Sequence, residues 1–219
     1  TIDVANSVGA EAIVIHAGEV DMKITRRDLA KKYNETKGAA DYKNYLETFL
    51  AERKAKSKIF LENVLKSFDE LIIYAERKNV KIGVENRFWA NEIPSFEEYK
   101  IIFQKFYGTS LGLWYDVGHS IVAEKQGLVK NHLNFLENYS DRLIGVHLHD
   151  VIDVYDHKAP GIGDVNFTEI SNLLNDDAII VNETHPSSTK EDLKNSIEYL
   201  KNHGFAKFTS QKNESVLLI

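Results

Sequence analysis

Short runs of consecutive apolar residues, each ending in a polar side chain, recur along the chain: AIVIH to His16, IGVE to Glu85, LGLWYD to Asp116, IGVH to His147 and IIVNE to Glu183. Unbroken Val, Ile and Leu over four or five residues suit parallel strands covered on both faces, whereas strict alternation would mark a sheet with one wet face. Between the runs the apolar spacing becomes helical. Residues 42–79 contain neither Gly nor Pro and keep that spacing from Tyr42 and Phe49 to Phe68 and Ala75. The stripe lapses over RKAKSK at 53–58, which predicts two helical segments or one bent helix.

Other boundaries follow from local chemistry. Ser95 and Glu98 form a capping box after Pro94, opening a helix that closes near Tyr107 and Gly108. Residues 120–138 read as a less regular helix. A turn at Pro160-Gly161-Ile162-Gly163 precedes a short helix near 167–175, and Thr189 caps one ending at Gly204. The polar stretch from Gly18 to Ala40 is too long for an ordinary connection and predicts a lid or a disordered loop. The opening TIDVANSVGA reads as the tail of a helix entering a strand, so further sequence is expected ahead of Thr1. Residues 205–219 give no clear reading.

Strand and helix alternate, as in an α/β fold. The last four strand-end residues are 31, 31 and 36 positions apart, about one strand–helix unit each. In a (β/α) barrel the C-terminal strand ends open onto one mouth, where the chemistry sits. Five oxygen or nitrogen donors are therefore expected at one place. Six of the eight histidines fall at or near strand ends, which core packing does not explain.

Composition narrows the chemistry. With no cysteine among 219 residues, neither a disulfide nor a thiolate zinc site is possible. No run reaches the roughly 18 apolar residues of a membrane span, no signal peptide heads the chain, and a cytoplasmic location is expected. A net charge of −6 argues against a nucleic-acid partner. The basic cluster of Arg53, Lys54, Lys56 and Lys58 reads as a solvated helix face.

Each strand-end group has a functional and a plain reading. Glu85, in VENR, is a metal ligand or a salt-bridge partner of Arg87. Asp116 and His119, in DVGH, are ligands or a helix cap with a first-turn histidine, and Gly118 would supply a sharp turn. His147 and His149 share one strand face, His147 suiting a metal and His149 the substrate or a supporting role, with Asp150 turned away. His157 and Lys158 lie in a punctuated loop, and Lys158 suits an anion. Glu183 suits both ligation and proton transfer. His16 suits a second ion or the substrate. Trp114 and Trp89 suit stacking on a ligand or core packing, and Arg87 could orient Glu85 or hold a ligand oxygen. Carboxylates with imidazole favour Zn²⁺, Mn²⁺, Fe²⁺ or Co²⁺ over Ca²⁺.

The ordered runs IHAG, GVENR, YDVGH, VHLHD, DHKAPGIGDVNF and NETHP resemble the xylose-isomerase-like metal barrels, a superfamily joining sugar and sugar-phosphate isomerases and epimerases with endonuclease-four-type AP endonucleases. The resemblance implies a (β/α)8 TIM barrel over residues 1–204, here without its first three strands. It implies a metal cage of Glu85, Asp116, His147 and Glu183, with His16, His119 and His157 matching the endonuclease branch's wider zinc site. That branch expects an acid where Tyr155 stands; Asp153 and Asp156 are out of register. The implied activity is divalent-metal-dependent (Zn, Mn or Co) isomerisation or epimerisation of a sugar or sugar phosphate. The cation would chelate carbonyl and hydroxyl, and Glu85 and Glu183 would exchange a proton through an enediolate. The alternatives are a metal-dependent phosphodiesterase at abasic DNA and a metal- and sugar-binding protein without turnover. A homo-oligomer is compatible with all three.

Overall fold

The computed structural model describes residues 1–206. In chain order its elements are α1 (Ile2–Ser7), β1 (Ala12–Ile15), β2 (Gly18–Glu19), α2 (Arg26–Thr36), α3 (Ala40–Arg77), β3 (Lys81–Glu85), β4 (Glu92–Ile93), α4 (Phe96–Lys105), β5 (Leu111–Asp116), α5 (Val117–Lys125), α6 (Asn134–Tyr139), β6 (Leu143–Leu148), β7 (Asp150–Ile152), β8 (Tyr155–Lys158), α7 (Phe167–Ser171), β9 (Ile179–Asn182) and α8 (Lys190–Leu200). Five strands form one parallel sheet in the order β1-β3-β5-β6-β9, curled into half a barrel. Two antiparallel ribbons, β2–β4 and β7–β8, rise from the C-terminal ends of its strands.

Pleat parity decides what faces the hollow of this half-barrel, since alternate residues point to opposite faces. Ile82, Val84, Leu113, Tyr115, Val146 and Leu148 project outward and are buried in the main core. Glu85, Trp114, Asp116 and His147 share the opposite parity. A one-residue register shift between Leu113 and Trp114 aligns Asp116 with His147 across the β5–β6 pair. Trp114 lies across Gly83 and Gly145, where an added β-carbon would overlap its ring, so these glycines admit the indole as a floor beneath the site. Trp114 is thus 3% exposed, and the expectation that it stacks on a ligand gives way to packing.

The helices differ from the sequence reading in three places. The stretch 53–58 does not divide the helix: α3 runs unbroken for 38 residues, about 57 Å along its axis at 1.5 Å per residue. Its buried stripe passes from Phe49 through Arg53, whose guanidinium donates to both Glu98 oxygens at 3.0 and 2.7 Å and to the Glu92 carbonyl at 2.8 Å. A hydropathy pattern scores this arginine as polar, although it occupies a core position. Secondly, the expected lid or disordered loop at 18–40 contains α2, opened by a Thr25–Asp28 capping box and packed on α3 through Leu29, Tyr33, Tyr42, Leu46 and Phe49. Thr25→Ala should cost about 1 kcal/mol of stability, read from urea unfolding, because it removes the acceptor for the Asp28 N–H. Thirdly, the expected helix at 120–138 is two helices, α5 and α6, separated by a turn in which Gly127 takes φ +75.

The Ser95–Glu98 capping box and the Thr189 cap form as expected, the latter as a box with Asp192. Helix α8 continues through an irregular turn to Phe205, which is 1% exposed and edges onto Phe167 at 6.3 Å. The remainder of the 205–219 segment, beyond Ala206, lies outside the described residues. Among the described residues, β1 and β9 each have one unpaired edge and are half-buried throughout. No helix among them is long and apolar enough to cross a membrane.

Candidate metal centre

Glu85 at the end of β3, Asp116 at the end of β5, His147 in β6 and Glu183 just past β9 converge at the mouth of the half-barrel. His147 Nδ1 is 2.9 Å from Glu85 Oε1, 2.9 Å from Glu183 Oε2 and 3.6 Å from Asp116 Oδ2. One donor atom from each of the four lies within 4.8 Å of the others. Ligands bound at about 2.1 Å to a common ion stand about 3.4 Å apart in a tetrahedron and up to about 4.2 Å across an octahedron. The cage therefore needs only small adjustments to take an ion, with the 2.9 Å pairs opening slightly. Three hard carboxylates and one imidazole suit Mn²⁺, Co²⁺ or Zn²⁺.

Three acids around one imidazole alter every proton affinity in the group. Burial alone would lower His147, but the surrounding carboxylates of Asp116, Glu183 and Glu85, the last hydrogen-bonded to its Nδ1, raise it to about 11. Burial alone would raise the carboxyls. The close approach of His147 and His16 nevertheless holds Glu85 below the ordinary range, and that of His147 and His157 holds Glu183 low. His119 and His149 do the same for the fully buried Asp116.

A proton thus occupies the cage at neutral pH. Below about pH 6.5 the folded and unfolded chains both hold it, and its stabilisation is complete; it is lost as pH rises through about 11. A cation entering the cage must displace this proton. Mn²⁺ affinity should therefore rise about tenfold per pH unit between roughly pH 7 and 9 for one proton released. Titrations at three pH values check this, and equal affinities would mean that His147 is already neutral.

A second group adjoins the first. Asp116, His119, His149 and His157 also bring donor atoms within 4.8 Å of one another. Here the hydrogen bonds define narrower roles. His149 is 0% exposed; its Nε2 donates to Asp116 Oδ1 at 2.9 Å and its Nδ1 accepts the His157 backbone N–H at 2.8 Å. Both ring nitrogens are used within the protein, so His149 orients Asp116 and does not face a substrate, contrary to the first expectation. His119, 1% exposed, donates from Nδ1 to the Asn86 carbonyl at 3.1 Å. Asp116 Oδ1 also accepts the His119 backbone N–H at 2.7 Å, so the residue caps α5 while its carboxylate remains in both groups. Gly118 is helical and makes no sharp turn; the His149 ring lies where its β-carbon would be.

The remaining expected residues are spread around the rim. His16 Nε2 meets Glu85 Oε2 at 2.5 Å with its side chain 55% exposed. Arg87 bridges Glu85 and Glu92, and His157 lies 3.1 Å from Asp156 and 3.7 Å from Glu183. Lys158 is half-buried on β8, its backbone opposite Asp150. Trp89 stacks obliquely on Phe88, with the Arg26 guanidinium 5.1 Å from its ring.

Several groups escaped the sequence reading. Asn86 brackets Asp116, donating to its carbonyl at 2.9 Å and accepting its N–H at 2.7 Å. Asp150 accepts the N–H groups of Val151, Gly161 and Val165, fixing the loop; a β-carbon on Gly163 would strike it. Asp156, set aside as out of register, reaches His157 at 3.1 Å and His119 at 3.8 Å, whereas Tyr155 is 61% exposed. The N after Glu85 and the paired Gly161 and Gly163 after Asp150 were the available signals.

The sequence model of the xylose isomerase-like TIM barrel matches residues 1–203. The chain belongs to this family. The chain is 26% identical over 174 residues to protein y4fM of Sinorhizobium fredii (strain NBRC 101917 / NGR234), covering 79% of this chain and 46% of that protein. The chain thus spans about half the length of that curated relative. A D-tagatose 3-epimerase-like protein superposes with a TM-score of 0.61 at 22% identity, covering 96% of this chain and 68% of the other. The 3-keto-D-glucoside 4-epimerase YcjR from E. coli gives 0.61 at 15% identity, over 92% and 67%. These likenesses are of fold.

Proposed function

We propose that the protein is a divalent-metal-dependent sugar isomerase or epimerase. One observation carries this reading: Glu85, Asp116, His147 and Glu183 form an inward-facing cage of three carboxylates and an imidazole. Bound by these residues, a divalent cation would supply Lewis-acid polarisation of a sugar carbonyl. Glu85 and Glu183 each approach His147 Nδ1 at 2.9 Å, and their carboxylates can take a proton from the carbon next to that carbonyl and return it. Their surroundings differ, Glu85 being 2% exposed and Glu183 36%, so the outer carboxylate is the one better placed to move and to exchange protons with water. His149 and Asn86 fix Asp116, while Arg87 and His16 border the space where substrate hydroxyls would lie. The similarity of fold to a 3-keto-D-glucoside 4-epimerase and to a D-tagatose 3-epimerase-like protein agrees with this reading. The substrate class is a sugar or sugar phosphate.

The test is hydrogen exchange in D₂O. Protein reconstituted with Mn²⁺, Co²⁺ or Zn²⁺ is incubated with a panel of free and phosphorylated ketoses. Deuterium at the carbon next to the carbonyl, together with a new isomer, is the expected result. No label in any sugar with any metal would sink the proposal.

A second reading, phosphodiester hydrolysis at abasic DNA, is favoured by the neighbouring Asp116, His119, His149 and His157 group. The net charge of −6 and the full use of both His149 nitrogens weigh against it. Three zinc ions per chain with nicking of abasic duplex would favour this reading, and one ion without nicking the isomerase.

A further inference from the structure

Arg87 stands beside the cage without belonging to it. Its Nη1 donates to Glu85 Oε2 at 3.2 Å and its Nε to Glu92 Oε1 at 3.3 Å. A guanidinium on a ligand carboxylate competes with any ion that carboxylate would bind, because both are cations drawn to one charge. Glu92 is 9% exposed and lies outside the cage. Its Oε2 is buried and has no hydrogen bond among the described residues. A pair serving stability alone would be expected to satisfy both oxygens of a buried carboxylate.

Glu92 is also held firmly. Its carbonyl accepts Arg53 Nη2 at 2.8 Å, Arg53 is clamped by Glu98, and its backbone is paired with Glu19 across the β2–β4 ribbon. Arg26 Nη1 approaches the same Oε1 only to 3.9 Å, leaving Arg87 as its nearest cation. Arg87 is thus shared between a fixed outer acid and an inner acid of the cage.

We propose that Glu92 is a positioning residue that draws Arg87 away from Glu85 and so sets how tightly the cage takes a divalent cation; this rests on the metal-dependent reading above. The charge of Glu92 acts through Arg87. Without Glu92, Arg87 settles more closely on Glu85 and competes harder with the ion. Without Arg87, Glu85 loses that competitor and keeps its contacts with His147 and His16.

The test is Mn²⁺ titration of the purified protein, followed by the loss of the free-ion electron paramagnetic resonance signal with no sugar present. Arg87→Gln should bind Mn²⁺ about tenfold tighter, and Glu92→Gln about three- to tenfold weaker. In the Arg87→Gln background the Glu92→Gln loss should vanish, since its mediator is gone. Glu92→Asp keeps the charge but shortens its reach, and should weaken binding as Glu92→Gln does. Thermal melts confirm folding, and Glu92→Asp supplies the readout if Arg87→Gln does not fold. Equal losses for Glu92→Gln with and without Arg87, or wild-type affinity in Glu92→Asp, would overturn the inference and leave the metal reading intact. Failure of the wild-type protein to bind Mn²⁺, Co²⁺ or Zn²⁺ would remove both.

Discussion

Glu183→Gln should abolish isomer exchange, lowering turnover by roughly 10²–10⁴-fold, while the protein keeps its fold. The substitution preserves shape and removes one negative charge. Glu183 lies just past an edge strand with its side chain 36% exposed, and the backbone bond from its N–H to the Leu148 carbonyl at 3.0 Å is untouched. Two losses coincide. The cage keeps two carboxylates in place of three, and the more exposed of the two proposed proton carriers becomes an amide. His147 loses one of the carboxylates that raise it to about 11, so its affinity for a proton falls. Steady-state turnover measured at saturating Mn²⁺ separates the two effects. Activity regained at high metal would assign the loss to binding, and activity still absent would assign it to proton transfer. Undiminished exchange at ordinary metal concentration would remove Glu183 from the mechanism.

Arg53→Ala should be the most destabilising single change outside the site, at about 3–5 kcal/mol. Arg53 is 7% exposed, and its two terminal nitrogens satisfy both Glu98 oxygens and the Glu92 carbonyl. Truncation leaves the Glu98 carboxylate buried without its counter-charge; the Ser95 N–H at 2.8 Å remains its chief partner. For a chain of this size the midpoint of thermal unfolding should fall by about 10 °C or more. Lysine should rescue poorly, since a single ammonium cannot reproduce the fork that meets both oxygens. A loss below about 1 kcal/mol in urea unfolding would mean that water replaces the guanidinium freely.

The contrast between these two residues indicates what the sequence made legible. Glu183, Asp116 and His147 end apolar runs, and strand parity together with parallel order is enough to bring them to one mouth. Arg53 interrupts an apolar stripe and so read as solvated, because its ion-pair partner lies 45 positions away and pairing at such distance leaves no local pattern. The same limit explains His149. Alternation placed it correctly beside His147, but its use of both nitrogens depends on Asp116 and on the backbone of a loop closed by Asp150. Helix α2 was missed for a different reason. Its Thr25–Asp28 box was present in the sequence, but the charged residues around it concealed an apolar face made of Leu29 and Tyr33 alone.

Trp114 gives the centre its own optical signal. The indole is 3% exposed and meets the His147 ring edge-on at 5.1 Å between centroids, while Trp89, the other tryptophan, lies out by Arg26. Replacing the imidazolium proton with a paramagnetic ion should dim the emission of the buried fluorophore and leave the outer one largely unchanged. Loading could then be followed in real time without an added dye.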